Sequence, residues 1–140
     1  MTVKQISVFV ENTPGKLAEF AKVFYENGIN MRALSVADTK DFGILRVIVD
    51  DVYRAACVLK EAGYVCSITK VLAVAIPDEP GGLYHVLDAL GKANINLEYT
   101  YAFNARNKGK AYMIFRVEDN EKAIEALTKS GFRPVCQDEF

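Results

Sequence analysis

The chain has 140 residues, 51% of them apolar and 25% charged, and carries a formal net charge of −1. That balance belongs to ordinary globular proteins and gives no electrostatic case for binding nucleic acid or an anionic membrane. No run approaches the roughly 18 apolar residues that a membrane-spanning helix needs, and Met1-Thr2-Val3-Lys4-Gln5 is unlike a signal peptide. The three cysteines, Cys57, Cys66 and Cys136, are odd in number and fit no metal spacing. They read as reduced thiols of a cytoplasmic protein, with Cys57 as core filler.

Val3 to Val10 is rich in β-branched residues, and Ile6, Val8 and Val10 fall on one face of a strand. Pro14-Gly15 breaks it, and Leu17, Phe20, Ala21 and Phe24 then recur at helical spacing until Asn27-Gly28. Ile29 to Val36 and Gly43 to Val49 form a hairpin around Asp38-Thr39-Lys40-Asp41. Asp50 or Asp51 caps a second helix carrying Val52, Ala55, Ala56, Leu59 and Ala62, which Gly63 stops. Tyr64 to Ile68 is a closing strand. The order then repeats: strand Val71 to Ile76, helix Gly82 to Lys92, hairpin Ile95 to Phe103 with Lys110 to Val117, helix Asn120 to Ser130, strand Phe132 to Cys136.

Pro14 and Pro80 are 66 residues apart, as are Asn30 and Asn96, while Gly63 and Gly131 are 68 apart. The slip of register falls around Asn104 to Gly109. A fixed period over nearly the whole chain marks a duplication. Each half follows the split βαβ order, so the expected class is α+β. It consists of two ferredoxin-like βαββαβ modules, with antiparallel sheets and helices on one face. The modules are expected at 1–69 and 70–140, with Thr69-Lys70 as the polar break between them.

Chemistry concentrates in the turn after each module's first strand: Asn12-Thr13-Pro14-Gly15-Lys16-Leu17, then Asp78-Glu79-Pro80-Gly81-Gly82-Leu83. Pro suits a helix start, and Gly permits close approach to the backbone. The amides from Gly15 to Leu17 sit at a helix start, where a small carboxylate is favoured. Asn12 offers both a donor and an acceptor to an amino acid. The plainer alternative is a strand-to-helix turn capped by Asn12 or Thr13. Its recurrence, each time with a leucine two residues after the Gly, favours the ligand. A helix from Lys16 to Asn27 spans roughly 18 Å, so Asn30 cannot share a small ligand with Pro14 of its own module. Pairing about a pseudo-twofold axis would bring Asn96 to the Asn12 loop and Asn30 to the Asp78 loop. The plain alternative makes Asn30 and Asn96 left-handed or turn residues after a helix.

A strand, (Asn/Asp)-x-Pro-Gly-x-Leu, a helix and a Gly/Asn-Ile-Asn step, twice over, resemble the ACT domain, a small regulatory module of amino-acid metabolism. The resemblance covers essentially the whole chain and includes no catalytic domain. It implies amino-acid binding at interfaces between modules. In the serine-sensing ACT domain of phosphoglycerate dehydrogenase, the loop asparagine and the one opening the second strand contact the ligand. Asn12 and Asn30 match those positions in the first module, Asp78 and Asn96 in the second. Val10 and Ile76 stand where that domain has a histidine, and Asp78 would repel a carboxylate but hold an ammonium. Met31, Leu34, Leu97 and Tyr99 are candidate wall residues. The stretch Ala37 to Gly43 resembles one common in stand-alone tandem ACT proteins.

RNA binding is the rival with the same topology, since Lys108 to Phe115 echoes an RNP1 string. Lys110, however, stands where a base-stacking aromatic is needed. His85 is the only histidine and has no nucleophile bracketed to it, so no enzyme is expected. No metal or cofactor is called for either. The expectation is a free-standing, homodimeric sensor of a free amino acid, acting on an enzyme of amino-acid metabolism. The alternative is a docking module that binds no ligand.

Overall fold

The computed structural model describes residues 1–38, 41–103 and 109–139. The hairpin turn at Thr39-Lys40 and the register slip and RNP1-like start within Asn104 to Lys108 lie outside the described residues. Two compact units are present, Lys4–Thr69 and Lys70 onward together with Met1–Val3.

In the unit Lys4–Thr69, β1 (Val3–Glu11) leads to α1 (Lys16–Glu26), then β2 (Met31–Asp38), β3 (Phe42–Val49) and α2 (Val52–Glu61). β4 (Cys66–Pro77) begins in this unit and crosses its boundary. β3 pairs antiparallel with β1 and β2, in registers such as Val8 opposite Leu45 and Val36 opposite Leu45. The alternating residues Ile6, Val8 and Val10, with Leu45, Val47 and Val49, turn one face toward the two helices. Phe20 and Phe24 fill the space between, edge to face with ring centroids 4.9 Å apart. Truncating either to alanine is worth about 3–5 kcal/mol.

The second unit repeats the plan with the rest of β4, α3 (Gly82–Lys92), β5 (Leu97–Phe103), β6 (Lys110–Val117) and α4 (Asn120–Lys129). β6 pairs antiparallel with β4 and β5. Leu72, Val74, Ile76, Phe115 and Val117 pack against Val86, Leu90 and Leu127. Each unit is therefore a split βαβ fold of the ferredoxin-like kind, an α+β architecture. A short 3-10 turn, Gln137–Glu139, follows.

All four helices end alike. In each, an amide reaches back five residues and its predecessor three, as in Ile29 N to Phe24 O (2.9 Å) and Gly28 N to Tyr25 O (3.2 Å). This closing turn needs a left-handed residue, supplied by Gly28, Gly63, Asn94 and Gly131. Asn30 and Asn96 are not the left-handed residues, which removes that plain explanation of them.

Several expectations need correction. Tyr64–Ile68 and Val71–Ile76 are not separate strands but lie along the single strand β4, because Thr69 and Lys70 continue the extended backbone. Phe132–Cys136 forms only a bridge, Val74 with Pro134, supported by Val135 N to Ala73 O at 2.8 Å. Cys57 is exposed and so is not core filler, and Leu17 is 49% exposed despite its helical spacing.

Candidate ligand-binding site

The two Pro-Gly loops share one backbone design. The amide of Asn12 donates to Asp41 O (3.2 Å), and that of Asp78 to Gly109 O (3.1 Å). Each loop is thus tied at its first residue to the hairpin of its own unit. Gly15 (φ 84°) and Gly81 (φ 91°) then take left-handed conformations as the N-caps of α1 and α3, without a side-chain cap on either helix. The plainer alternative puts the cap at Asn12 or Thr13, but the N-cap position of α1 is Gly15, which has no side chain to cap with. Lys16 N instead donates to Thr13 O (3.4 Å) and Gly82 N to Glu79 O (3.1 Å). The first in-helix bonds come from Glu19 N to Gly15 O and His85 N to Gly81 O. Helix geometry therefore leaves the amides of Leu17 and Ala18, and of Leu83 and Tyr84, as the orphan donors. This shifts the anion-favouring amides slightly downstream of the expected Gly15 to Leu17.

The other two helices make the contrast. Asp51 accepts from Arg54 N (3.0 Å) and Asp119 from Lys122 N (3.1 Å), so α2 and α4 are conventionally capped. Only the helices that follow Pro-Gly start uncapped, and both place an exposed leucine there, Leu17 and Leu83. An open helix start carries partial positive charge. Beside an exposed apolar side chain, it matches a carboxylate with an aliphatic body.

The loops differ at three positions, Asn12 against Asp78, Thr13 against Glu79 and Lys16 against Gly82, and those differences set their electrostatics. Lys16 lies 3.3 Å from Glu19 Oε2, and its ammonium is held above its ordinary range by that hydrogen bond, then by the charges of Glu19 and Glu11. A cleft of about 290 Å³ beside it is lined by Glu11, Lys16, Glu19 and Tyr64. Burial pushes the Tyr64 phenol up. In the second unit Gly82 replaces Lys16, and a cleft of about 430 Å³ is lined by Glu79, Gly82, His85, Asp88 and Phe132. The first loop thus presents a cation, and the second presents Asp78 and Glu79 without one at the matching position.

Asn30 and Asn96 are both exposed, just beyond the C-terminal ends of α1 and α3. An 11-residue helix is about 16 Å long, so neither meets the Pro-Gly loop of its own unit. Asn96 instead borders a cavity of about 730 Å³ with Asn94, Asn120, Lys70 and Lys122. Asn120 donates there to Lys70 O (3.3 Å), and its own Oδ1 is buried without a partner among the described residues. Sequence reasoning missed this cavity, because its residues come from four separate stretches of the chain: Met1-Thr2, Lys70, Asn94 to Asn96 and Glu118 to Lys122. Met31 and Leu97 are half-buried and pack against the edges of their units' cores. Each is followed by a bulge whose extra residue is charged: Arg32, 2.7 Å from Asp50, and Glu98, 3.3 Å from Arg116. Bulges of this kind re-aim side chains and recur next to functional sites.

Among the described residues, no group of three or more His, Cys, Asp or Glu is placed to hold a metal ion. No helix is long and apolar enough to cross a membrane.

The family profile described as ACT domain pair matches residues 1–139. A Bacteroides thetaiotaomicron protein of solved structure is 35% identical, with a TM-score of 0.92 over 99% of this chain and 95% of that one. The ligand-free regulatory subunit of aspartate kinase from Thermus thermophilus is 18% identical, with a TM-score of 0.66 over 91% of each chain. Its Thermus flavus counterpart is 17% identical, with a TM-score of 0.64 over 91% and 92%. No curated protein matches.

Proposed function

Because this chain belongs to the ACT domain pair family, we propose that it is a non-catalytic cytoplasmic sensor of a free amino acid. The observation that carries the reading is the pair of uncapped helix starts, each beside an exposed leucine, in a fold whose other two helices are capped by aspartate. The ligand carboxylate is received by the amides of Leu17 and Ala18, with Asn12, Pro14, Gly15 and Lys16 around it. Asp78, Pro80, Gly81, Gly82 and Leu83 form the second site, where Asp78 suits an ammonium. Asn30 with Met31, and Asn96 with Leu97, act on ligand held by a different module, since the helix length separates them from their own loop. Regulatory subunits of aspartate kinase share the fold, which motivates an enzyme of amino-acid metabolism as the partner. Regulation then requires the ligand to favour one of two states of the partner complex.

A thermal-shift screen against the twenty amino acids tests the reading. A ligand at 100-fold its dissociation constant stabilises by about 2.7 kcal/mol. One clear hit, lost in N12A, supports the sensor. A flat screen favours the second reading, a ligand-free docking module, for which the exposure of Leu17, Leu83 and Tyr84 already speaks.

A further inference from the structure

The two units diverge at the end away from their Pro-Gly loops, where the first helix of each stops and the second begins. In the first unit that end is tied shut. Lys4 Nζ donates to Tyr53 Oη (2.6 Å) and stands 4.4 Å from the centre of its ring. Arg54 donates to Asn27 O (2.6 Å), and Arg32 grips both carboxylate oxygens of Asp50, at 2.7 and 3.1 Å. Val52, which opens α2, is buried.

At the matching positions the second unit carries Lys70 for Lys4, Glu121 for Tyr53, Lys122 for Arg54, Glu118 for Asp50 and Asn120 for Val52. Glu98, which matches Arg32, is drawn to Arg116 (3.3 Å). Among the described residues, the side chains of Lys70, Glu118, Glu121 and Lys122 make no hydrogen bond or ion pair. Every tie of the first unit is therefore missing from the second, and the cavity of about 730 Å³ lies where they would have been. Loss of ties alone would not put a carboxamide where valine packed. Asn120 spends its Nδ2 on Lys70 O (3.3 Å) and keeps a buried Oδ1 with no donor. A buried acceptor in that state calls for an N–H or O–H.

We propose that this cavity is a second ligand site, built within one unit, for a small zwitterion of the free amino-acid class. The ligand ammonium meets Asn120 Oδ1 with Glu118 and Glu121, and its carboxylate meets Lys70 and Lys122. A simple anion would face two carboxylates and a simple cation two ammonium groups, so a molecule carrying both signs fits the lining. The volume is within the range of small-molecule sites. Helix α3, about 16 Å long, separates the cavity from the Pro-Gly loop of the same unit. The inference therefore does not depend on those loops holding ligand.

Backbone amide shifts of the isotope-labelled full chain, followed by NMR as each of the twenty amino acids is added, locate binding directly. At least one amino acid should move the amides of Asn94, Asn120, Glu121 and Lys122. Asn120→Val, which installs the first unit's residue, and Lys122→Met should each weaken that response by about tenfold or more. Asn12→Ala should leave it unchanged. Shifts at this cavity alone would support the inference even with the loops empty. Shifts confined to Gly15 to Ala18 or Gly81 to Tyr84 would overturn it while leaving the loop sites standing. It is equally overturned if no amino acid moves the cavity amides, or if both variants bind there as tightly as the parent.

Discussion

The carbonyl oxygen of Pro77 lies 2.2 Å from where a Cβ on Gly82 would be. The first unit carries Lys16, a residue with a full side chain, at the matching position. The duplicated loops have thus diverged in backbone tolerance as well as in charge. Gly82→Ala must push the Pro77 backbone aside and should cost about 1–3 kcal/mol. Gly15→Ala meets nothing within 4 Å but must hold φ near 84°, and should cost about 1 kcal/mol. Urea midpoints of the two variants check the order.

Capping asymmetry gives a second comparison. Asp51→Ala and Asp119→Ala should each lower stability by about 1 kcal/mol, because each removes the acceptor of a helix-start amide. Thr13→Ala should stay within about 0.5 kcal/mol, since its side chain caps nothing. Thermal or urea denaturation of the three variants decides the matter.

If the first loop receives a carboxylate, Lys16→Met and Asn12→Ala should each weaken amino-acid binding by about tenfold, or 1.4 kcal/mol. Melting temperature without ligand should barely move. Titration calorimetry with the amino acid found by thermal shift measures the loss. Affinity equal to the parent's in both variants would place the ligand elsewhere.

The pair Glu125 and Lys129, 2.7 Å apart on α4, fixes a sign for pH dependence. The hydrogen bond from Lys129, then its charge, holds the Glu125 carboxyl below its ordinary value of 4.5. A lowered folded value means stability present above the ordinary value and lost as pH falls through the lowered one. Glu125→Gln should flatten that part of the melting-temperature curve below pH 4.5, and should change nothing near neutrality.

Much of the fold was legible because its signals are local. The alternation Ile6-Val8-Val10 and the stops at Gly28 and Gly63 depend on neighbours within one turn or strand, and both behave as read. What failed depended on position in space. Leu17 has core spacing with Phe20 and Phe24, yet the helix start reaches past the buried face. Thr69-Lys70 reads as a break because both residues are polar, although a strand tolerates polar side chains on an open face. The site was legible only at its loops. Pro-Gly announces a helix start, but nothing in Asn12 or Thr13 reveals that the N-cap position falls on Gly15. The cavity beside Asn96 draws Lys70 and Asn120 from distant segments, and no spacing rule joins them.

The membership of Met1–Val3 has a consequence for synthesis. Residues 4–69 form one compact unit, whereas Val3, fully buried, belongs with the residues from Lys70 onward. The start of β1 must wait, unsatisfied, until the second unit has emerged. A nascent chain stalled near residue 70 would hold a folded first unit with a frayed leading end, and that end is where a chaperone or protease should first take hold.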